Sequence, residues 1–309
     1  MDNQVCVFAP SPQLTVTVED LDGRPDLHLH AGGQGYWQAR MITALGSPVV
    51  FCCALGGETG SVLGHLLTGP DLEVRARQVA ARNGAYIHDR REGEREELVE
   101  QYPGRLTRHE VDDLYELAVV AGLSAGVAVL GGSVDVATEE VIPVSVYERL
   151  AADLGRNGCR VVVDLAGARL AAALEGTPAV VKVSHEELIE DGRAKSDDLA
   201  DLTGAARELV ASGVELVVVS RAAEPTLAVT AADELLVTAP ALDPVDTRGG
   251  GDSMTAGLAA AFAQGADLEA ALRLGAAAGA LNITRHGLGS GSGDAVRSLV
   301  ERVEIARVG

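Results

Sequence analysis

Asp246-Thr247-Arg248-Gly249-Gly250-Gly251-Asp252-Ser253 runs straight into the alanine-rich stretch Met254-Thr255-Ala256-Gly257-Leu258-Ala259-Ala260-Ala261. Three glycines before a helix let successive backbone N–H groups point into one concavity, and the helix dipole adds partial positive charge there. Such a turn can hold a phosphate. Asp252 follows the glycines directly and lies within reach of whatever that phosphate is attached to. The same dipole favours its ionised form. The alternative is a Gly-rich turn in which Asp252 is a simple N-cap.

Upstream of this turn, apolar β-rich runs alternate with amphipathic or Ala-rich stretches. Strands are expected over 5–9, 49–54, 127–131, 160–165, 179–183 and 216–220. Helices are expected over 38–45, 108–119, 144–157 and 199–212, and after the turn over 253–264 and 268–285. This β-then-α alternation predicts an α/β fold: a doubly wound, mostly parallel sheet with helices on both faces. Residues 1–309 read as one such domain. Two segments break the pattern, 13–30 and 81–101. They read as short polar strands without crossover helices, which predicts a small β-flap lid built from two insertions.

Composition agrees with this class. Aromatics make up only 3% of the 309 residues and hydrophobic residues 47%, so Ala, Val and Leu must build the core, as parallel strands under helices allow. The formal net charge of −20 argues against nucleic acid and anionic membrane surfaces as partners. It also means that an anionic substrate needs a local cradle of N–H groups or cations. The four cysteines, Cys6, Cys52, Cys53 and Cys159, form no C-x-x-C, so reduced cytosol is expected. The N-terminus lacks a basic segment followed by an apolar one, so no signal peptide is expected and the localisation reads as cytoplasmic. The uncharged stretch 117–134 has the length of a membrane span, but its four glycines and two serines fit a helix end, a turn and a strand.

D-T-R-G-G-G-D-S-M resembles the D-T-x-G-A-G-D signature of the ribokinase-like (PfkB) carbohydrate kinases. The resemblance implies that Gly249, Gly250 and Gly251 form an anion hole for the transferring phosphoryl group and that Asp252 is the catalytic base. Gly32-Gly33-Gln34-Gly35 with Ala39 resembles the sugar-site motif G-G-x-G-x-N-x-A; Gln34 stands where the phosphosugar branch has Lys, and Trp37 where the family has Asn. Lys182-Val183-Ser184-His185-Glu186-Glu187-Leu188 resembles K-P-N-x-x-E-L. That implies a nucleotide role for Lys182 and Ser184 and a magnesium role for Glu187, although the two glutamates alone would also suit a solvated helix start. Val217–Ala222 resembles the nucleotide strand V-V-V-S-x-G, implying Ser220 and Ala222 near ATP, and Asn282 is implied there too. Ala9-Pro10-Ser11-Pro12-Gln13-Leu14-Thr15 resembles the N-P-A-L-D opening of the 1-phosphofructokinase and tagatose-6-phosphate kinase branch, with its substrate Asp read onto Thr15. Arg82 falls near that branch's sugar-phosphate Arg.

The resemblance therefore implies an ATP- and Mg²⁺-dependent kinase acting on a hydroxyl of a sugar or sugar phosphate. Its rivals are a kinase of an unphosphorylated sugar or polyol and a nucleotide-binding regulator that has lost catalysis. The lid edges suggest a homodimer. His28 and His30 alternate on one strand face and read as solvated rather than as zinc ligands. The stretch 287–294 reads as a flexible loop near the nucleotide. No G-x-x-x-x-G-K-[ST] occurs, and no G-x-G-x-x-G follows the first strand, which disfavours P-loop kinases and Rossmann dehydrogenases.

Overall fold

The computed structural model describes residues 3–93, 95–132 and 141–308. Glu94 of the second inserted segment and the last two residues of 117–134 lie outside them. The main sheet has, from one edge, β5 (Leu72–Val79), β4 (Val49–Gly56), β1 (Val5–Phe8), β8 (Val127–Gly131), β9 (Arg160–Asp164), β10 (Val180–Ser184) and β11 (Leu216–Arg221), all parallel. Three antiparallel strands complete it: β12 (Glu224–Val229), β13 (Glu234–Thr238) and β14 (Glu304–Arg307).

Both faces of the sheet are covered, and the strands show why. Cys6, Phe8, Cys52, Leu130, Val163, Val181 and Val219 point into one core, under α3 (Arg108–Ala125), α4 (Ser145–Arg156), α5 (Gly167–Glu175), α6 (His185–Glu190) and α7 (Leu199–Ala211). Their alternate neighbours Val5, Val7, Phe51, Cys53, Val129, Val162, Val180 and Val218 point into the other. That second core lies under α1 (Gln34–Ala44), α2 (Gly57–Leu66), α8 (Gly250–Ala263), α9 (Leu268–Asn282) and α10 (Gly293–Val300). This is why the strands read as unbroken apolar runs. The expected doubly wound fold is present. The sequence reading missed α2, α5, α10, β5 and the antiparallel edge, and it began α1 and α8 too late.

α8 and α9 pack with their backbones almost touching: a Cβ on Gly257 would come 2.6 Å from Gly275 Cα. Small residues thus hold the helix that carries the glycine turn close to its neighbour. All four cysteines are free and buried. No helix among the described residues is long and apolar enough to cross a membrane.

The two inserted segments form one separate sheet. β2 (Gln13–Leu21) and β3 (Arg24–Gly32) make a hairpin through Asp22 and Gly23, both at positive φ. β6 (Ala85–Asp89) joins β2 in parallel and pairs with β7 (Glu96–Gln101). One face carries Val16, Val18, Leu27, Leu29, Ile87 and Val99, with Leu27 61% and Val99 51% exposed. The other carries Thr15, Thr17, His28, His30, Tyr86 and His88.

Candidate active site

The parallel strands deliver their C-terminal ends to one rim of the sheet, where the chain turns into helices. A cavity of about 390 Å³ opens there. Gly33, Gln34, Lys182, Ser184, Glu187, Ser220, Gly249, Gly251 and Asp252 line it, joined by Gln13, Trp37 and Asp164. Segments far apart in the chain converge on one cleft, as ligand sites in open α/β sheets do.

Gly249 is the N-cap of α8, in the left-handed conformation at φ 69°. Asp252 therefore lies inside the first turn, and the N-cap reading of it is corrected. The N–H groups of a first helical turn have no intrahelical acceptor, so those of Gly250, Gly251 and Asp252 are available to an anion. Two anchors hold the turn: Val245 N and Asp246 N donate to Ile283 O (2.7 and 3.1 Å), and Asn282 Nδ2 donates to Arg248 O (2.9 Å).

Behind the turn lies a buried charge network. Lys182 Nζ meets Asp164 Oδ1 at 3.2 Å, and Asp164 Oδ2 accepts from Gln38 Nε2 (2.9 Å) and Thr255 Oγ1 (2.7 Å). A Cβ on Gly251 would come 2.5 Å from Lys182 Nζ, so a larger residue there would push aside the ammonium that Asp164 holds. Burial works against the charged Lys182, but Asp164, Glu187 and Asp252 outweigh it and hold its pKa above the ordinary lysine value. For Asp252 the balance runs the other way. Burial first, then the charge of Asp164, push its carboxyl up to about 7, against Lys182 and a hydrogen bond from Gln34. The dipole's preference for the ionised form, expected from the sequence, is thus outweighed by desolvation and the neighbouring carboxylates. Gln34 also accepts from Gly132 N at 2.8 Å, which fixes its amide between the two groups.

Ser184 and Glu187 form a reciprocal capping box at the start of α6: Ser184 N donates to Glu187 Oε2 (2.7 Å), and Glu187 N donates to Ser184 Oγ (3.2 Å). The cap fixes a carboxylate at the edge of the cleft. Mg²⁺ takes oxygen ligands, usually one or two carboxylates with water and substrate phosphates. Glu187, with one oxygen spent on Ser184, fits that donor set, whereas Asp164 is already committed to Lys182, Gln38 and Thr255.

Other predicted residues lie elsewhere. Thr15 does not reach the cleft; its hydroxyl packs against Gly32, which is also outside the lining. Counted residue by residue from Ala9, the Asp of N-P-A-L-D falls on Gln13, and Gln13 is the cleft residue. Arg82 is exposed, beside Gly57. Ala222 lies outside the lining, in the turn between β11 and β12, at φ 49°, where L residues cost roughly 1–2 kcal/mol and glycine is at ease. Gly250 is not in the lining either, and Asn282 is fully buried as the tie behind the turn. Asp164 was missed: a single Asp ending the run Arg-Val-Val-Val-Asp is its only trace in the sequence, and a charge at the C-terminal end of an apolar strand was the available signal.

The small sheet reaches the same rim. Arg90, just beyond β6, meets Asp246 at 3.5 Å, and Arg248 also pairs with Asp246. Burial, then Arg90 and Arg248, lower the pKa of His88 to about 4. Arg91 instead pairs with Asp89.

A parallel-stranded α/β domain with a glycine turn at a helix start, a carboxylate beside it and a separate small sheet has the layout of a phosphotransferase with a lid-like appendage. Residues 10–294 match the pfkB family carbohydrate kinases. The chain belongs to that family and is an ATP-dependent carbohydrate kinase. It is 30% identical over 253 residues to 1-phosphofructokinase of Rhodobacter capsulatus, covering 81% of this chain and 78% of that one. Phosphofructokinase-2 from Escherichia coli, solved in complex with potassium, superposes with a TM-score of 0.86 at 25% identity, over 98% of this chain and 99% of that one. Ribokinase from Thermotoga maritima shares the fold, with a TM-score of 0.75 at 17% identity over 96% and 99% of the two chains.

Proposed function

We propose that this kinase phosphorylates a hydroxyl of a sugar phosphate, with Asp252 as general base. The observation that carries the mechanism is Asp252 itself, one residue beyond the glycine turn, at the wall of the cleft, with a pKa pushed up to about 7. A carboxylate poised there accepts a proton far better than an ordinary aspartate. As the acceptor oxygen bonds to the γ-phosphorus, its proton passes to Asp252 and the bond to the ADP oxygen breaks. N–H groups of the glycine turn hold the equatorial phosphoryl oxygens. Lys182, Ser184 and Ser220 face the nucleotide side; Gln13, Gly33, Gln34 and Trp37 face the acceptor. Mg²⁺, when bound near Glu187, neutralises phosphate charge.

The sugar-phosphate acceptor rests on the relatives named above. The cleft lining offers one cation, Lys182, and that is bound to Asp164. The acceptor's phosphate must therefore look to the lid side, where Arg90 faces Asp246. The small sheet acts as the lid, excluding water that would compete as acceptor. Its apolar outer face is where a second copy packs, so sedimentation should give twice the mass of one chain, falling to one in Leu27→Asp/Val99→Asp.

ADP release over a panel of sugars and sugar phosphates tests the assignment. Turnover with a phosphosugar at much higher kcat/KM than with its parent sugar is expected; the reverse order would sink the phosphosugar reading. In the same assay Glu187→Gln should shift the magnesium dependence to higher concentration. Gln also serves in a capping box, so the fold should hold. An unaltered titration removes Glu187 from the magnesium site.

A further inference from the structure

A second cavity, of about 460 Å³, lies on the far side of α1 from the cleft, between that helix, the end of α2, the last residues of β3 and the loop 289–291. It is of the size that small-molecule sites have, roughly 300–1,000 Å³. The chain carries 45 Asp and Glu residues, yet none lines this cavity. Arg40 and His30 do, with the hydroxyl-bearing Thr43, Thr68 and Ser290, against an apolar wall that includes Leu72. Arg40 has no carboxylate partner among the described residues. Its Nη1 donates to Leu288 O at 3.2 Å, and a guanidinium has five N–H groups, so most of its donors are uncommitted.

We propose that this cavity is a second ligand site, for a small phosphate ester, and that it acts on the glycine turn through Arg40. A guanidinium with a free edge suits bidentate binding of a phosphate, Thr68 supplies a further hydroxyl while those of Thr43 and Ser290 already donate to Arg40 O and Gly287 O, and the apolar wall takes the carbon part of the ester. On a chain of net charge −20 an acid-free pocket that presents the Arg40 guanidinium is a local place for an anion. Its connection to catalysis is a short chain of contacts. Leu288, held by Arg40, precedes Gly289, whose N–H donates to Asn282 Oδ1 at 2.8 Å. The other end of that amide holds Arg248 O, next to Gly249. Gly289 also sits hard against α1: a Cβ there would come 2.3 Å from Trp37 O, and Trp37 lines the catalytic cleft. A phosphate that draws Arg40 away from Leu288 loosens this loop and the turn behind it, so the ligand lowers turnover. Couplings of this kind are typically about 5- to 150-fold.

The test is calorimetric titration of n-butyl phosphate into the full chain with the nucleotide side of the cleft filled by a saturating non-hydrolysable ATP analogue; the acceptor side stays open, so the pocket variants decide where the ester binds. n-Butanol is the neutral control. Binding of butyl phosphate and not of butanol is expected, weakened about tenfold or more in Arg40→Gln and in Thr43→Glu, which puts a carboxylate into the pocket. Ser290→Asp places the same charge on another wall and serves if Thr43→Glu does not fold. Absence of binding to the wild type, or binding unchanged in the carboxylate variants, overturns the proposal. The readout needs no turnover, so its failure would leave the kinase mechanism standing, and loss of the mechanism would leave this site standing.

Discussion

Asp252→Asn is expected to cut kcat by about 10²- to 10⁴-fold while ATP affinity changes little. Asn preserves the shape of the side chain and can keep a contact with Gln34, but it cannot take the acceptor's proton. The backbone donors of the turn are untouched, so nucleotide binding should survive. Asn is also a good N-cap, which would have made the substitution silent under the rival reading, but Gly249 occupies that position. Steady-state rates with the best phosphosugar, together with calorimetric ATP binding, check this. Turnover near that of the wild type would remove Asp252 as the base.

Lys182→Met is expected to act twice. It leaves Asp164 buried without its cation, and breaking a buried pair in this way costs roughly 3–5 kcal/mol, measurable by denaturant unfolding. It also removes the charge that holds the Asp252 pKa down. In the wild type the acid limb of kcat/KM should lie near the Asp252 value of about 7, because the base works only when deprotonated and the rate rises as pH rises through its pKa. With Lys182 gone the Asp252 pKa rises further, so the limb moves to higher pH. A limb that stays in place or moves to lower pH would show that Lys182 does not set the basicity of Asp252.

What the sequence made legible was local and contiguous. The glycine turn, the Ser184–Glu187 spacing and the apolar runs of the parallel strands each carry their meaning within a few residues; the first two lie at the cleft and the runs form the sheet. The antiparallel edge was not, because Glu224–Val229 and Glu234–Thr238 are short and their burial comes from neighbours in the sheet rather than from a run of their own. Asp164 shows the same limit at the site. Its partners Gln38, Lys182 and Thr255 lie on three separate elements, and no spacing in the chain announces that they meet. The ionisation of Asp252 was not legible for a related reason. A helix terminus is visible in sequence, but carboxylates brought in from β9 and α6 are not. At Thr15 the pattern itself was legible and the count along it was off, and only the position of Gln13 in the cleft corrects it.

The contact between Gly257 and Gly275 bears on how much order the enzyme must gain when it binds. Helices that meet through leucines hold each other with side chains that exchange rotamers, and fixing those rotamers has an entropic cost. At their closest approach α8 and α9 meet through Gly257 and Gly275, which have no such freedom to lose. The helix bearing Asp252 therefore has little side-chain entropy to lose at this contact. Binding energy need not be spent on stilling it and remains for aligning the acceptor with the phosphorus.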